Sequence, residues 1–189
     1  MIYKDIAKKN KPEKISTKRL TMKEMGESDL MDMVDIFSRE EVSATFMLPV
    51  FNCKEDKELL FHKFVEWSKD GNRFVYGVYF GHKLIGFVND VEIADDEIEL
   101  GYVINPDFKG QGYATEVLVA SINTLLNMGY NTVKTGAFVE NKASIRVMEK
   151  AGMTKIDYED QVSYNGQMHT CVYYHIKKPV EKLSNYGKI

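Results

Sequence analysis

No stretch of this 189-residue chain is apolar for long enough to cross a membrane. Its first fourteen residues are too polar for a secretory leader. Cysteine is scarce. Cys53 and Cys171 stand alone, without the Cys-x-x-Cys spacing that holds zinc or cycles as a redox pair. Two such cysteines among ten methionines suit a reducing compartment, so a cytoplasmic protein is expected. An excess of positive charge is also lacking. Lys and Arg number 25 against 28 Asp and Glu, a formal net charge of −3, which argues against nucleic-acid binding through phosphate neutralisation. The one basic cluster (Lys4, Lys8, Lys9, Lys11 and Lys14) is diluted by Asp5 and Glu13 and reads as a solvated end. His62, His82, His169 and His175 show no metal-ligand spacing and read as surface residues, so no metal is expected. No Ser-His-Asp or Cys-His arrangement is visible in order or motif. There is no repeat, linker or low-complexity tract. These absences leave one globular domain over 1–189, with 1–14 a loose N-terminal arm and 177–189 a polar tail.

What is present centres on residues 99–116, ELGYVINPDFKGQGYATE. Glu99 to Ile104 reads as a strand. Asn105-Pro106-Asp107 ends it, because proline offers no N–H to a ladder. Lys109-Gly110-Gln111-Gly112-Tyr113-Ala114-Thr115 then opens an amphipathic helix. The first amides of a helix have no carbonyl partner within it, and the dipole puts its positive end there. Strand, glycine turn and helix therefore make a cradle for phosphate, with a lysine at its mouth. Nucleotide motifs fit poorly: no P-loop pattern occurs, and Gly110-x-Gly112-x-x-Thr115 lacks the last glycine of a dinucleotide fingerprint.

Lys109-x-x-Gly112-x-Ala114 resembles the acetyl-CoA pyrophosphate loop of the GNAT acyltransferase superfamily, Gln/Arg-x-x-Gly-x-Gly/Ala, with Lys in place of Gln/Arg. A second segment, Asn141-Lys-Ala-Ser144-Ile-Arg146-Val-Met-Glu-Lys150-Ala-Gly152-Met153, is similar to the Asn-x-x-Ser-x-Arg-Val-Leu-Glu-Lys-x-Gly-Phe stretch of the RimJ/RimL-like branch. Thr17-Lys-Arg19-Leu20 resembles that branch's opening strand. The resemblance spans residues 15–176. It implies a mixed α/β sheet, mostly antiparallel, with one parallel pair splayed at the CoA site and helices on both faces.

The local patterns agree with that architecture. A strand is expected over 18–23, where Leu20 and Met22 alternate with polar neighbours. A helix capped at Ser28 or Asp29 follows, then a short helical piece over 39–44. The apolar stretch 46–51 is broken by Pro49 and reads as a loop. It either tucks onto the core or walls an acceptor pocket. Helical spacing of Leu60, Phe61, Phe64, Val65 and Trp67 predicts a helix over 54–69. Strands over 73–80, 84–91 and 97–104 form a meander. A helix over 112–128 leads to a strand over 132–139 that lies parallel to the third strand of the meander, with a right-handed crossover. A helix over 141–150 and a hairpin over 157–164 and 167–175, turning at Asn165-Gly166, complete the pattern.

The resemblance implies an acetyl-CoA-dependent N-acetyltransferase. It passes an acetyl group to a primary amine by direct attack and releases CoA. The acceptor is a protein N-terminal α-amine or a small-molecule amine. Backbone groups of Tyr102, Val103 and Ile104 match the pantetheine-binding strand, and plain core strand is the structural reading of the same residues. Lys109, Gly110, Gln111, Gly112, Tyr113, Ala114 and Thr115 match the pyrophosphate loop, with Tyr113 packing beside CoA. Asn141 is a candidate CoA contact. Glu99 is the candidate base: an apolar strand setting disfavours the charged form of a carboxylate and makes it a better proton acceptor. It also shares one side of the strand with Glu97 and so suits an exposed strand face. Ser144 is the candidate partner of the CoA sulfur, against the simpler reading of a polar helix-start residue. Many GNAT relatives carry a proton-donating Tyr where this chain has Met148, so the general acid is unassigned. That departure gives some weight to the alternative of a non-catalytic acyl-CoA-binding or sensor module. A nucleotide-binding regulator is a third class, disfavoured by the missing P-loop lysine. The chain is expected as a monomer or a homodimer, with no nucleic-acid or membrane partner.

Overall fold

Alternation of apolar and polar residues organises the sheet, and helical spacing covers both of its faces. The computed structural model describes residues 10–179. Eight strands form one sheet in the order β1-β2-β3-β4-β5-β6-β8-β7. The strands are β1 (Lys14–Ser16), β2 (Thr21–Lys23), β3 (Tyr76–Phe80), β4 (Lys83–Ala94), β5 (Glu97–Ile104), β6 (Thr132–Phe138), β7 (Thr154–Tyr164) and β8 (Gln167–Lys177). The helices are α1 (Leu30–Ser38), α2 (Glu40–Ser43), α3 (Lys54–Lys69), α4 (Tyr113–Met128) and α5 (Lys142–Lys150). All strand pairs are antiparallel except β5 with β6.

Two apolar clusters flank the sheet. On one side Val117, Leu118, Ile122 and Leu125 of α4 and Met148 of α5 pack on Val88, Ile98, Leu100 and Val133. On the other, Phe37 of α1 and Phe61, Phe64 and Val65 of α3 pack on Phe87, Leu84 and Val103. Phe87 meets Phe46 and Phe64 edge to face at centroid distances of 5.3 and 4.8 Å, a geometry that suits aromatic quadrupoles. The loop 46–51 thus does tuck onto the core, through Phe46, Leu48 and Phe51.

The expected elements appear, with shifted ends. The meander strands and α3 fall where the periodicity places them, and β5 and α3 match to the residue. The first expected strand is shortened to β2, and β1 precedes it without having been expected. Thr17, Lys18 and Arg19 instead form a turn, closed by the Thr17 N–H and hydroxyl donating to Leu20 O at 2.9 and 3.1 Å. The expected loose arm needs correction within the described residues. Lys11 Nζ donates to the carbonyls of Ser68 and Val75 at 2.6 and 3.2 Å and stands over the Tyr76 ring. Pro12 O accepts from the Tyr76 hydroxyl at 2.6 Å. Burial pulls the Lys11 ammonium below its usual pKa, with Glu24, Asp70 and Asp90 opposing. Lys11 is therefore an anchor, not a solvated charge. Residues 1–9 and 180–189, which hold the rest of the arm and most of the expected tail, lie outside the described residues.

His169 is another correction. Its ring stacks on Phe138 at 4.4 Å and is only 18% exposed, so it belongs to the half-buried wall of β6 and β8. Asn165 and Gly166 take the left-handed conformation at φ 48° and 74°, as a two-residue hairpin turn requires.

Candidate active site

The site begins where β5 and β6 part. The parallel pairing runs through Glu97 with Thr132, Ile98 with Val133 and Glu99 with Lys134, then stops. Beyond it β6 stays with β8 as far as Phe138 opposite Cys171, while β5 stays with β4 as far as Ile104 opposite Gly86. The strands splay, and a cavity of about 1120 Å³ fills the opening. Glu99, Tyr102, Val103, Ile104, Lys109, Gly110, Gly112, Tyr113, Ala114, Thr115, Asn141 and Ser144 all line it. Of the candidate catalytic and CoA-binding residues named from the sequence, Gln111 alone stands apart from this lining. Its carbonyl accepts instead from Arg19 Nη1 at 2.8 Å.

One end of the cavity is the start of α4. Gly112 caps the helix at φ 80° and ψ 7°, and Gly110 is also left-handed at φ 76°. A side chain costs roughly 1–2 kcal/mol in that conformation. The Glu116 N–H closes the first turn on Gly112 O at 3.1 Å, leaving the amides before it without an intrahelical acceptor. A Cβ built on Gly112 would meet only Arg19 Nη2, at 3.5 Å. A cradle of free amides with a guanidinium at its rim fits a pyrophosphate.

Arg19 also holds this loop in place. Its guanidinium contacts Glu116 at 2.7 Å and lies 4.5 Å over the Tyr113 ring. Glu116 further accepts from the Thr17 hydroxyl at 2.6 Å and the Arg19 N–H at 2.9 Å. Burial pushes the Glu116 carboxyl up, but these partners outweigh it and hold it below the usual range. A second set of contacts secures the preceding turn. Asn105 Nδ2 donates to Asp35 at 2.9 Å, and Arg39 joins Asp35 at 3.0 Å to Asp107 at 2.7 Å. Tyr113 itself is buried between Phe80 and Arg19.

Glu99 is not left among apolar neighbours. Lys134, opposite it on β6, places Nζ at 3.0 Å, and Glu99 is 14% exposed. Burial lowers the pKa of the Lys134 ammonium. Its hydrogen bond and charge contact with Glu99, helped by Glu97 and Glu92, outweigh that and hold it above the usual value. Cross-strand pairing therefore replaces the isolated carboxylate expected from the sequence. A bulge in β4 at Val91 lies alongside, between the pairs Asp90–Leu100 and Glu92–Glu99.

Asn141 turns out to be the cap of α5: its Oδ1 accepts from the Ser144 N–H at 3.0 Å. Ser144, at the third helical position, faces Tyr102. The two hydroxyl oxygens are 2.7 Å apart. Met148 is fully buried in the core beneath α5. Two residues of the lining, Asn89 and Thr135, keep Oδ1 and Oγ closed off from solvent without a hydrogen-bond partner among the described residues. Such atoms are uncommon in native proteins.

The far end of the cavity is walled by loop 44–49, and Tyr164 of β7 ties that loop down. Its hydroxyl donates to Ser43 O at 2.7 Å, with Phe46 O also near at 3.2 Å, and accepts from the Leu48 N–H at 3.2 Å.

A family model described as an acetyltransferase (GNAT) domain matches residues 19–154, most of the chain. The chain belongs to the GNAT acetyltransferase family. It is an N-acetyltransferase by family, with the mixed sheet and single parallel pair seen above. Among solved structures, it is similar to the ribosomal L7/L12 α-N-protein acetyltransferase RimL without ligand. That likeness has a TM-score of 0.77 and 17% identity, over 88% of this chain and 94% of that one. A GNAT-family acetyltransferase from Bacillus anthracis gives 0.75 and 22%, over 87% and 98%. The microcin C7 self-immunity acetyltransferase MccE, in complex with acetyl-CoA and AMP, gives 0.74 and 16%, over 85% and 93%. At these identities the likeness speaks for the fold. No sequence among curated proteins matches.

Three residues that brace the cavity lining escaped the sequence reading of function. Arg19 had a signal, since it lies in the opening-strand match, but its role needed Glu116 beside it. Lys134 and Tyr164 had none, because strand register and loop packing bring them in from distant parts of the chain.

Proposed function

We propose that this protein transfers the acetyl group of acetyl-CoA to a primary amine by direct attack, without an acyl-enzyme. The observation that carries the reading is the splay of β5 from β6. It opens one continuous cavity from the left-handed Gly112 cradle, past Glu99, to the loop held by Tyr164. The cradle amides of 110–115 suit the pyrophosphate, and the unpaired β5 edge over Tyr102, Val103 and Ile104 suits the amide-bearing arm. Held together, amine and thioester need little more than alignment and charge placement. The amine nitrogen attacks the thioester carbonyl carbon, the C–S bond breaks, and the electron pair leaves on sulfur. The proton lost by nitrogen passes to Glu99, directly or through water. Lys134, 3.0 Å away, holds that carboxylate in place. Met148, buried as it is, cannot return a proton to sulfur, whereas the Ser144 hydroxyl lines the cavity and can stabilise the thiolate.

The acceptor is a protein N-terminal α-amine or a small amine. The fold shared with RimL supports the first, and the sparse cysteines support a cytoplasmic setting. The test is CoA release from acetyl-CoA with a panel of N-terminal peptides and small primary amines. Acceleration by peptides alone selects the α-amine reading, and acceleration by small amines alone selects the other. Acetyl-CoA binding unaccompanied by transfer to any amine would overturn the assignment.

A further inference from the structure

We propose that Tyr102 is a positioning residue for the leaving group: its hydroxyl fixes the Ser144 hydroxyl as a hydrogen-bond donor toward the CoA sulfur. The inference rests on the acetyl-transfer reading above and extends it to a side chain whose backbone alone was expected to matter. Tyr102 reaches from β5 across the cavity to α5, 42 residues further along the chain, and its Oη lies 2.7 Å from Ser144 Oγ. Both side chains line the same cavity. The Tyr102 hydroxyl carries one proton. Ser144 O also lies within reach at 3.3 Å, but Oγ is nearer at 2.7 Å, and the proton given to Oγ leaves the Ser144 proton free to turn into the cavity. Without that gift the Ser144 hydroxyl has other acceptors close by, as helix serines do in bonding carbonyls of the preceding turn.

The pair takes over a task that the helix cannot perform. The position one turn after Ser144 is Met148, whose thioether is sealed in the core. A proton donor cannot be restored there by substitution, because a tyrosine would overfill a packed interior. Tyr102 instead comes from the sheet. Burial pushes its phenol up to about 12, with the Ser144 hydrogen bond pulling the other way. It therefore stays protonated through turnover and acts as a fixed dipole. No phenolate forms: the proton that sulfur finally takes is the one released by the attacking amine and carried back through water.

The test compares the wild type with Tyr102→Phe, Ser144→Ala and the double variant, since Phe keeps the ring and removes only the hydroxyl. Two readouts are taken. One is amine acetylation at saturating acetyl-CoA. The other is the pH titration of bound CoA thiol, followed by thiolate absorbance, which needs no turnover. Ser144→Ala is expected to slow transfer by roughly ten- to a hundredfold, and Tyr102→Phe by about three- to tenfold. The double variant should be no slower than Ser144→Ala alone, because the tyrosine acts only through the serine. The bound thiol should titrate at higher pH in each variant, and at the same pH in the double as in Ser144→Ala. A merely structural Tyr102 would give losses that multiply, and that result overturns the proposal. So does a Tyr102→Phe protein that matches the wild type in both readouts. Failure to acetylate any amine, with the thiol titrations as expected, would overturn the reading of function and leave this one standing.

Discussion

The two ends of the cavity are built in opposite ways. The cradle at the start of α4 is nearly all local: Lys109 to Thr115 are consecutive, and two left-handed glycines shape them. What reaches far along the chain there is a clasp from outside, Thr17 and Arg19 on Gln111, Tyr113 and Glu116, and Asp35 and Arg39 on the turn before it. The acceptor end has no such continuity. Its wall is an apolar loop at 44–49, held by a tyrosine some 116 residues later. A cofactor common to a whole family needs one constant geometry, and short-range backbone preferences encode that well. An acceptor that differs between enzymes is better served by loops whose shape depends on what holds them.

Substitutions at the middle of the cavity and at its two ends should separate the steps. The largest effect is expected at the centre. Glu99→Gln keeps the strand and the CoA cradle, so acetyl-CoA affinity should hold while turnover falls on the order of 10²-fold or more. The acidic limb of the pH–rate profile should vanish with it. An intact profile would assign deprotonation to solvent and make Glu99 a structural partner of Lys134.

Gly112→Asp attacks the cradle. The new side chain must sit in a left-handed conformation, and its carboxylate would turn toward Arg19 and occupy the anion site. CoA affinity by calorimetry should fall roughly tenfold to a hundredfold, given strain of about 1–2 kcal/mol plus repulsion. Unchanged affinity would remove the cradle from the binding reaction.

Tyr164→Phe tests the opposite end. It removes the hydroxyl that joins Ser43 and Leu48, a loss of about 0.5–1.5 kcal/mol for each hydrogen bond. The acceptor KM should rise about two- to tenfold while CoA affinity stays the same. A change in both would show that the two ends of the cavity are coupled.

The smallest effect is an acid one. The folded pKa of Glu116 is held below its unfolded value, so its contribution is fully present above the unfolded carboxylate pKa, about 4.3. It is lost as the pH falls through the lower folded value. The difference in urea midpoint between the wild type and Glu116→Gln should therefore be clear at neutral pH and shrink in acid. The effect is modest because Arg19 is 38% exposed and water screens the pair.

The same contrast explains what the sequence could tell. Apolar alternation located β3 to β6, and helical spacing located α3 and α4, because each element buries one face on a common core. The glycine turn before α4 was legible because φ near 80° leaves a local signature. The setting of Glu99 was not. A strand residue's own neighbours say nothing about which residue a parallel crossover brings beside it, and Lys134 comes from beyond a 16-residue helix. The capping role of Asn141 was hidden for a related reason: an Asn before a helix serves as cap or ligand with the same residue type, and here it caps α5 while lining the cavity. Lys11 was read as a solvated charge because its carbonyl partners lie 57 to 64 residues away.

The tie between Tyr164 and loop 44–49 also has a consequence for synthesis. At about 5–20 residues per second, a ribosome makes Tyr164 roughly 6–23 s after it has made Leu48. For most of that interval the segment carrying Phe46, Met47, Leu48, Val50 and Phe51 is outside the ribosome without the residue that fastens it. A nascent chain stalled before Tyr164 should therefore recruit chaperones at this loop, and release them once the last hairpin is made.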